Sequence, residues 1–437
     1  MTVRALPRQL RANFHNLYLD IFWFGVLSGS TIAFLTIYAA RLGASTLEIS
    51  LLSAGPAVVN LVFSLPAGRW LENKALVPAT FWSAALQRLG YLTLIVLPWS
   101  LGDRLQIWVI VLITLLMSIP GTLLAISFNA LFAEAVPPEW RAEVVGKRNA
   151  LMAVSLTATT LLSGQLLDRV IYPWNYAIVF TIGALGAGLS TYYVGRLRLS
   201  AGQAQLQLED AQTPSTPMVE LPESRVRPGA GLASAARAIP ELRFFERLDL
   251  NKLLHLDLLR TSFGPFMLSY LLFYTFQYLG IPIFPLVQVR SLNLSDGIIS
   301  LGSSLFYGVM LLVSLRIVDI SARLGHKRML SFGASIFGFY PLLLGLARGP
   351  ALFWVASVVG GGAWAITNAG LTNRLMERVP ANRLAAGMTL HNLVLNLGIL
   401  LGSLAAPLLG YWAGLQPALF IVAGLRFLAG GIFWIWG

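Results

Sequence analysis

The chain has 437 residues, of which 56% are hydrophobic and 11% charged, and its mean hydropathy of +0.71 is more than a soluble core needs. Apolar runs of about 20 residues recur from Leu17 to the last residue, so lipid is the solvent for most of the chain. Zero cysteines exclude disulfides, thiolate metal sites and cysteine nucleophiles. The formal charge of +12, which in a soluble protein would raise nucleic acid as a partner, belongs here in cytoplasmic loops, and no nucleic acid is expected.

Twelve spans are expected. Six lie near 17–40, 47–69, 76–98, 106–133, 146–167 and 174–195, and six near 262–287, 297–320, 328–346, 351–375, 385–411 and 416–436. The first follows a basic leader but is too long for a signal peptide and lacks a cleavage site, so it is read as a retained helix. Asp20 lies one turn inside it, either as a carrier of a coupling proton or as a wet cap or partner for a nearby arginine. Asn60 lies in span 2. Arg88, beside Gln87, falls in the middle of span 3, where a charge costs about 2.5 to 3.5 kcal/mol and must face the bundle interior, water or a partner. Coupling and a buried ion pair are both open for it. Gly183, Gly186 and Gly188 in span 6, like Gly360, Gly361 and Gly362 in span 10, read as close helix contacts and not as a phosphate loop.

Residues 197–255 separate a first bundle (1–196) from a second (256–437). Pro214, Pro217, Pro222 and Pro228 stand there among Gln, Ser, Thr and Glu, the composition of a cytoplasmic linker. From Pro240 onward, Leu242, Phe245 and Leu248 recur at helical spacing, which suits a helix lying either on the lipid surface or on the protein. In span 7, Tyr270, Tyr274, Gln277 and Tyr278 share a face, suited to a pocket for an amphiphilic or aromatic solute or to plain packing. Gly280, Pro282 and Pro285 should then break the helix. Arg316 and Asp319 have the spacing of a local ion pair. Asn368 in span 10, with Asn392 and Asn396 in span 11, can line a cavity or join helices. Arg426 is placed near the interface, its stem long enough to snorkel.

Alternate loops differ in charge. One set holds only Arg41, Arg104, Arg169, Arg290 and Arg348, whereas the other holds Arg4, Arg8, Arg11, Lys74, Arg141, Lys147, Arg148, Arg323, Lys327, Arg328, Arg374, Arg378 and Arg383. The positive-inside rule puts both termini in the cytoplasm.

An internal repeat marks duplication: Leu42, Ser45, Ile49, Ser50, Leu51, Ser53, Leu61, Ser64 and Leu65 return as Leu292, Ser295, Ile299, Ser300, Leu301, Ser303, Leu311, Ser314 and Leu315. The loop after span 8 has Arg323, Gly325, Lys327 and Arg328, and the loop after span 2 has Gly68, Glu72 and Lys74. Span 4 closes on Glu134 and Pro137, span 10 on Glu377 and Pro380, and each is followed by an arginine, Arg141 or Arg383. Proline disfavours helix at the residue before it, so both helices should stop there.

Two similar halves joined by a long linker, with degenerate copies of a Gly-x3-Asp-Arg-x-Gly-x-basic-basic pattern after spans 2 and 8, resemble the major facilitator superfamily. That resemblance implies an all-α integral membrane protein of twelve transmembrane helices in two pseudo-symmetric six-helix bundles that rock about a central cavity. It also implies a cytoplasmic gate in which Glu377 meets Arg323 and Glu134 meets Lys74; the alternative is that these are solvated loop charges. Asn73 and Ala322 depart from the family pattern.

Enzyme motifs are missing, and His15, His255, His326 and His391 lack metal-ligand spacing, so neither metal nor cofactor is expected. The function expected is secondary active transport of a small organic solute by a monomer in the plasma membrane (the inner membrane, in a bacterium), coupled to protons and directed toward efflux. Neutral-solute uptake, lipid scrambling and sensing without transport stand as alternatives.

Overall fold

A computed structural model describes residues 8–72, 74–199, 256–261, 263–379 and 383–437. Most of the expected linker, with its helix around Leu242, Phe245 and Leu248, lies outside the described residues, as do Asn73, His255 and Pro380. We label the long helices α1 (Leu10–Arg41), α2 (Thr46–Glu72), α3 (Leu76–Ser100), α4 (Asp103–Ala135), α5 (Pro138–Arg169), α6 (Trp174–Gly195), α7 (Phe263–Ser291), α8 (Asp296–Ser314), α9 (His326–Leu346), α10 (Pro350–Arg378), α11 (Ala386–Ala413) and α12 (Leu415–Trp436). All but α3 are long and apolar enough to cross a membrane. Thr80, Ser83, Gln87 and Arg88 make α3 more polar, yet it packs between α4 and α6 as a full member of the bundle.

Local chemistry sets the helix ends. The repeated serines open α2 and α8: Ser45 exchanges hydrogen bonds with Glu48, whose carboxylate accepts from the Ser45 backbone at 2.8 Å, and Ser295 accepts from the Ile298 amide at 3.3 Å. Val136 and Val379, each before a proline, leave the helix in extended conformations and end α4 and α10 where expected. α7 breaks after Gly280, resumes at Ile283 and finishes in a π-type turn over Val287–Ser291. The chain also turns between Ser314 and Ile317, where a short helix, Ile317–Leu324, begins. Arg316 and Asp319 therefore do not share one regular helix face, and no ion pair joins them among the described residues.

Contacts across the two bundles run along three seams: α5 against α8, α2 against α11, and the end of α1 against the end of α7. Small residues permit the first. A Cβ on Gly164 of α5 would overlap the Ser300 hydroxyl of α8 and lie 2.9 Å from the Asp296 carbonyl oxygen. Gly183 and Gly186 admit α1 against α6, and Gly360 and Gly361 admit Phe306 of α8; Gly188 and Gly362 meet no such neighbour, so only four of those six positions are close contacts.

Burial divides unequally along the long axis. On the side away from the termini, one core takes residues from both bundles, among them Phe34, Ile49, Phe180, Leu286, Leu294 and Leu419. On the termini side there are two separate cores. One is built from Phe14, Leu17, Leu71, Leu131 and Val144, the other from Phe266, Met267, Leu330, Leu375 and Phe433. The apolar core is thus shared between the bundles at the far side and divided between them at the termini side. Replacing Gly164 with Val should wedge the α5–α8 seam at an overpacking cost of about 1–3 kcal/mol, increasing far-side separation in spin-label distance measurements; an unchanged distance distribution would count against this packing.

Candidate functional site

The far-side closure centres on Asp296, which opens α8 and is 7% exposed. Arg41 at the end of α1 donates to its Oδ1 through Nη2 at 2.9 Å and Nε at 3.2 Å, and to the Leu294 carbonyl at 2.6 Å. The Tyr176 hydroxyl of α6 donates to the other carboxylate oxygen at 2.9 Å. Two further bonds cross between the bundles, Ser295 to Asp168 at 2.7 Å and Arg290 to the Ala44 carbonyl at 2.6 Å. Two of the scarce arginines of this side, Arg41 and Arg290, thus bridge the bundles. Arg104 instead pairs with Glu48 at 2.9 Å, within the first bundle.

Midway along the helices, Asn60 of α2 donates to Asn396 of α11 at 3.3 Å and accepts from Thr122 of α4 at 2.5 Å. Asn396 donates in turn to the Asn392 carbonyl at 2.8 Å. The asparagines singled out in spans 2 and 11 thus meet across the two bundles. Asn368 does not join them and is exposed on α10.

Inside the first bundle, Asp20 is 4% exposed, which removes the reading of it as a wet cap. Arg148 of α5 lies 3.3 Å from its Oδ2 and donates to the Leu17 carbonyl at 2.8 Å. Ser190 of α6 donates to its Oδ1 at 2.5 Å. Arg88 continues the chain, with Nη2 2.9 Å from Ser190 Oγ and Nη1 2.6 Å from Thr191 Oγ1 and 3.1 Å from the Ala187 carbonyl oxygen. One carboxylate thus sits among two buried guanidiniums and ties α1, α3, α5 and α6 together. Sequence reasoning placed Arg148 among the loop charges; α5 begins at Pro138, ten residues earlier, and carries Arg148 into the bundle, where its guanidinium also faces Phe128 at 4.9 Å. Gln87, adjacent to Arg88, points elsewhere, into a cavity of about 410 Å³ lined also by Asn60, Tyr91 and Thr122.

The tyrosine stripe of α7 does not open on a single pocket. Tyr270 is fully buried and donates to the Leu371 carbonyl at 2.6 Å, Tyr274 lies 3.0 Å from His391 Nε2, and Tyr278 is half-buried. Gln277 instead borders an interior cavity of the second bundle together with Arg426. Far from snorkelling, Arg426 is 1% exposed, because α12 packs against α7 and α9.

The proposed gate residues lie on the termini side. Glu377 pairs with Arg374 at 2.8 Å and lies 3.5 Å from His326, not against Arg323. Arg374, one turn away on the same helix, reaches the carboxylate first. Arg323 is exposed with no ion pair among the described residues. Gly325, at φ +73°, joins the short helix to α9, Lys327 approaches the Ile435 carbonyl at 3.5 Å, and Arg328 is exposed. Gly68 is buried in α2, Glu72 is exposed at its end, Glu134 is half-buried, and Lys74 lies 5.8 Å from the Trp70 ring. Arg141 donates to the Ala133 and Val136 carbonyls, capping α4. Each of the contacts just described stays within one bundle.

Two sister bundles linked on one side by a cross-bundle carboxylate, with separate cores on the other, have the architecture of a secondary transporter. The family model of the Major Facilitator Superfamily matches residues 21–245 and 266–437, and the chain belongs to that family. Among solved structures the fold is similar to a D-xylose–proton symporter (TM-score 0.68, 14% identity, 98% of each chain covered). It is also similar to the nucleoside transporter NupG (0.65, 15%, 96% of this chain and 98% of that one) and to the xylose transporter XylE from E. coli in a partially occluded inward-open conformation (0.63, 15%, 98% and 99%). Comparison with curated proteins by sequence finds no match.

Asp20→Asn leaves Arg148 buried without its counter-charge and should destabilise the fold by about 3–5 kcal/mol. Adding Arg148→Gln should restore part of the loss. Thermal unfolding of the single and double variants in one detergent checks this, and equal melting temperatures for wild type and Asp20→Asn would refute it.

Proposed function

We propose that this protein carries a small organic solute across the membrane by alternating access, coupled to protons and in the direction of efflux, with both termini in the cytoplasm. The observation that carries this reading is the asymmetry of the bundle contacts: a shared core and the Asp296 seal on one side, two separate cores on the other. With basic loops placed inside, this asymmetry supports a resting state closed to the exterior.

Asp20 is the residue we assign to coupling. It is the carboxylate that offsets Arg148 and, through Ser190, engages Arg88. Protonating it removes the negative charge between two guanidiniums, so the contacts that bind α1 to α5 and α6 loosen together. The Asn60–Asn396 bond and the α5–α8 seam are the contacts that a rocking motion must slide or break. The named solutes of the structural neighbours, a nucleoside and xylose, are small organic molecules, which supports the solute class. The apolar walls and few charges of the interior favour an amphiphilic cargo over a multiply charged one.

In proteoliposomes, Asp20→Asn should abolish solute movement driven by a proton gradient while leaving solute counterflow. Undiminished proton-driven flux would remove Asp20 from coupling. Asp296→Asn weakens a charge-assisted contact of about 1.5–3 kcal/mol and should raise the reactivity of cysteines introduced at the far-side ends of α1 and α7 by about tenfold or more. Unchanged reactivity would overturn the assignment of Asp296 as the seal.

A further inference from the structure

The two bundles treat their buried arginines differently. Arg88 and Arg148 share the Asp20 carboxylate, directly or through Ser190. Arg426 has no carboxylate: among the described residues its only hydrogen bond is from Nη2 to the Gln277 carbonyl at 3.1 Å. Its Nε and Nη1 have no acceptor, and Gln277 Oε1 is also unpaired. The rings of Phe337 at 4.3 Å and Phe284 at 5.4 Å face the guanidinium and offset part of its charge. A guanidinium stays ionised and carries five donors, so what is missing is an acceptor with negative charge.

Space for one lies beside it. Arg426 borders a cavity of about 280 Å³ inside the second bundle, with Gln277, Gln288 and Tyr340 as polar groups, Phe284 and Phe337 among the aromatic walls, and no acidic residue in the lining. That volume falls near the lower end of small-molecule sites, roughly 300–1,000 Å³. We propose that this cavity binds a small aromatic monoanion, its carboxylate on the open donors of Arg426 and its ring among the aromatic side chains. One guanidinium neutralises one charge; a second on the ligand would be buried uncompensated. The site stands apart from Asp20 and from the Asp296 seal.

The test uses the full chain in lipid nanodiscs and two probes of the same shape, benzoate and its neutral counterpart benzamide. Benzoate should bind saturably and raise the melting temperature, and benzamide should do neither. Arg426→Gln should weaken benzoate binding by at least about tenfold, the loss of one charge-assisted hydrogen bond. Because that variant changes a buried charge, Ser303→Leu is a second one: it fills the cavity from α8, leaves the guanidinium in place, and should lose benzoate binding while keeping the wild-type fold. Equal response to the two probes, no saturable benzoate binding, or undiminished binding in the folded variants would overturn the proposal. The readout is binding to the resting protein, so such a failure leaves the transport reading intact.

Discussion

One buried carboxylate, Asp296, holds the far side shut. It lies at the first turn of α8, where the helix dipole favours negative charge, and receives Arg41 and Tyr176 from the other bundle. The Arg41 side chain is 30% exposed and that of Asp296 9%, so the pair is shielded enough to matter and wet enough to break. The shared apolar core beneath it supplies area; the ion pair supplies register, setting which turn of α1 meets which end of α8. On the opposite side each core closes within its own bundle.

The bundles are related by sequence repeat but not by electrostatics. In the first, buried charge is arranged as a chain, Arg148–Asp20–Ser190–Arg88, that links four helices. In the second, Arg426 is buried among aromatic rings with no carboxylate beside it among the described residues. The repeat gives two similar scaffolds, and a few interior side chains make their buried polar groups differ.

Much of the architecture was legible because lipid is a severe solvent. Helix lengths, the breaks at Val136 and Val379, and the interruption of α7 after Gly280 follow from hydrophobic thickness and proline geometry, which act locally. The site was less legible. Arg148 looked like a loop charge because helix α5 starts well before its apolar stretch; Arg426 looked peripheral because distance along the chain was taken for depth. Glu377 chose Arg374, a neighbour on its own helix, over the arginine that the resemblance assigned to it. Tyr270, Tyr274 and Gln277 share a helix face yet serve three different neighbours, because α10, α11 and α12 each take one strip of α7.

By itself the sequence determined the class of solvent, the two-bundle plan, the proline-set ends of α4 and α10 and the family, since each of these is set by composition, by local backbone chemistry or by a repeated pattern. Only the tertiary structure decided which charges are partners, which end of the bundle pair is closed, and that Arg426 lies beside a cavity. Most of those outcomes depend on side chains brought together from distant parts of the chain, such as Arg41 with Asp296 and Arg148 with Asp20, and the rotation of one helix against another leaves no periodicity in the chain to read.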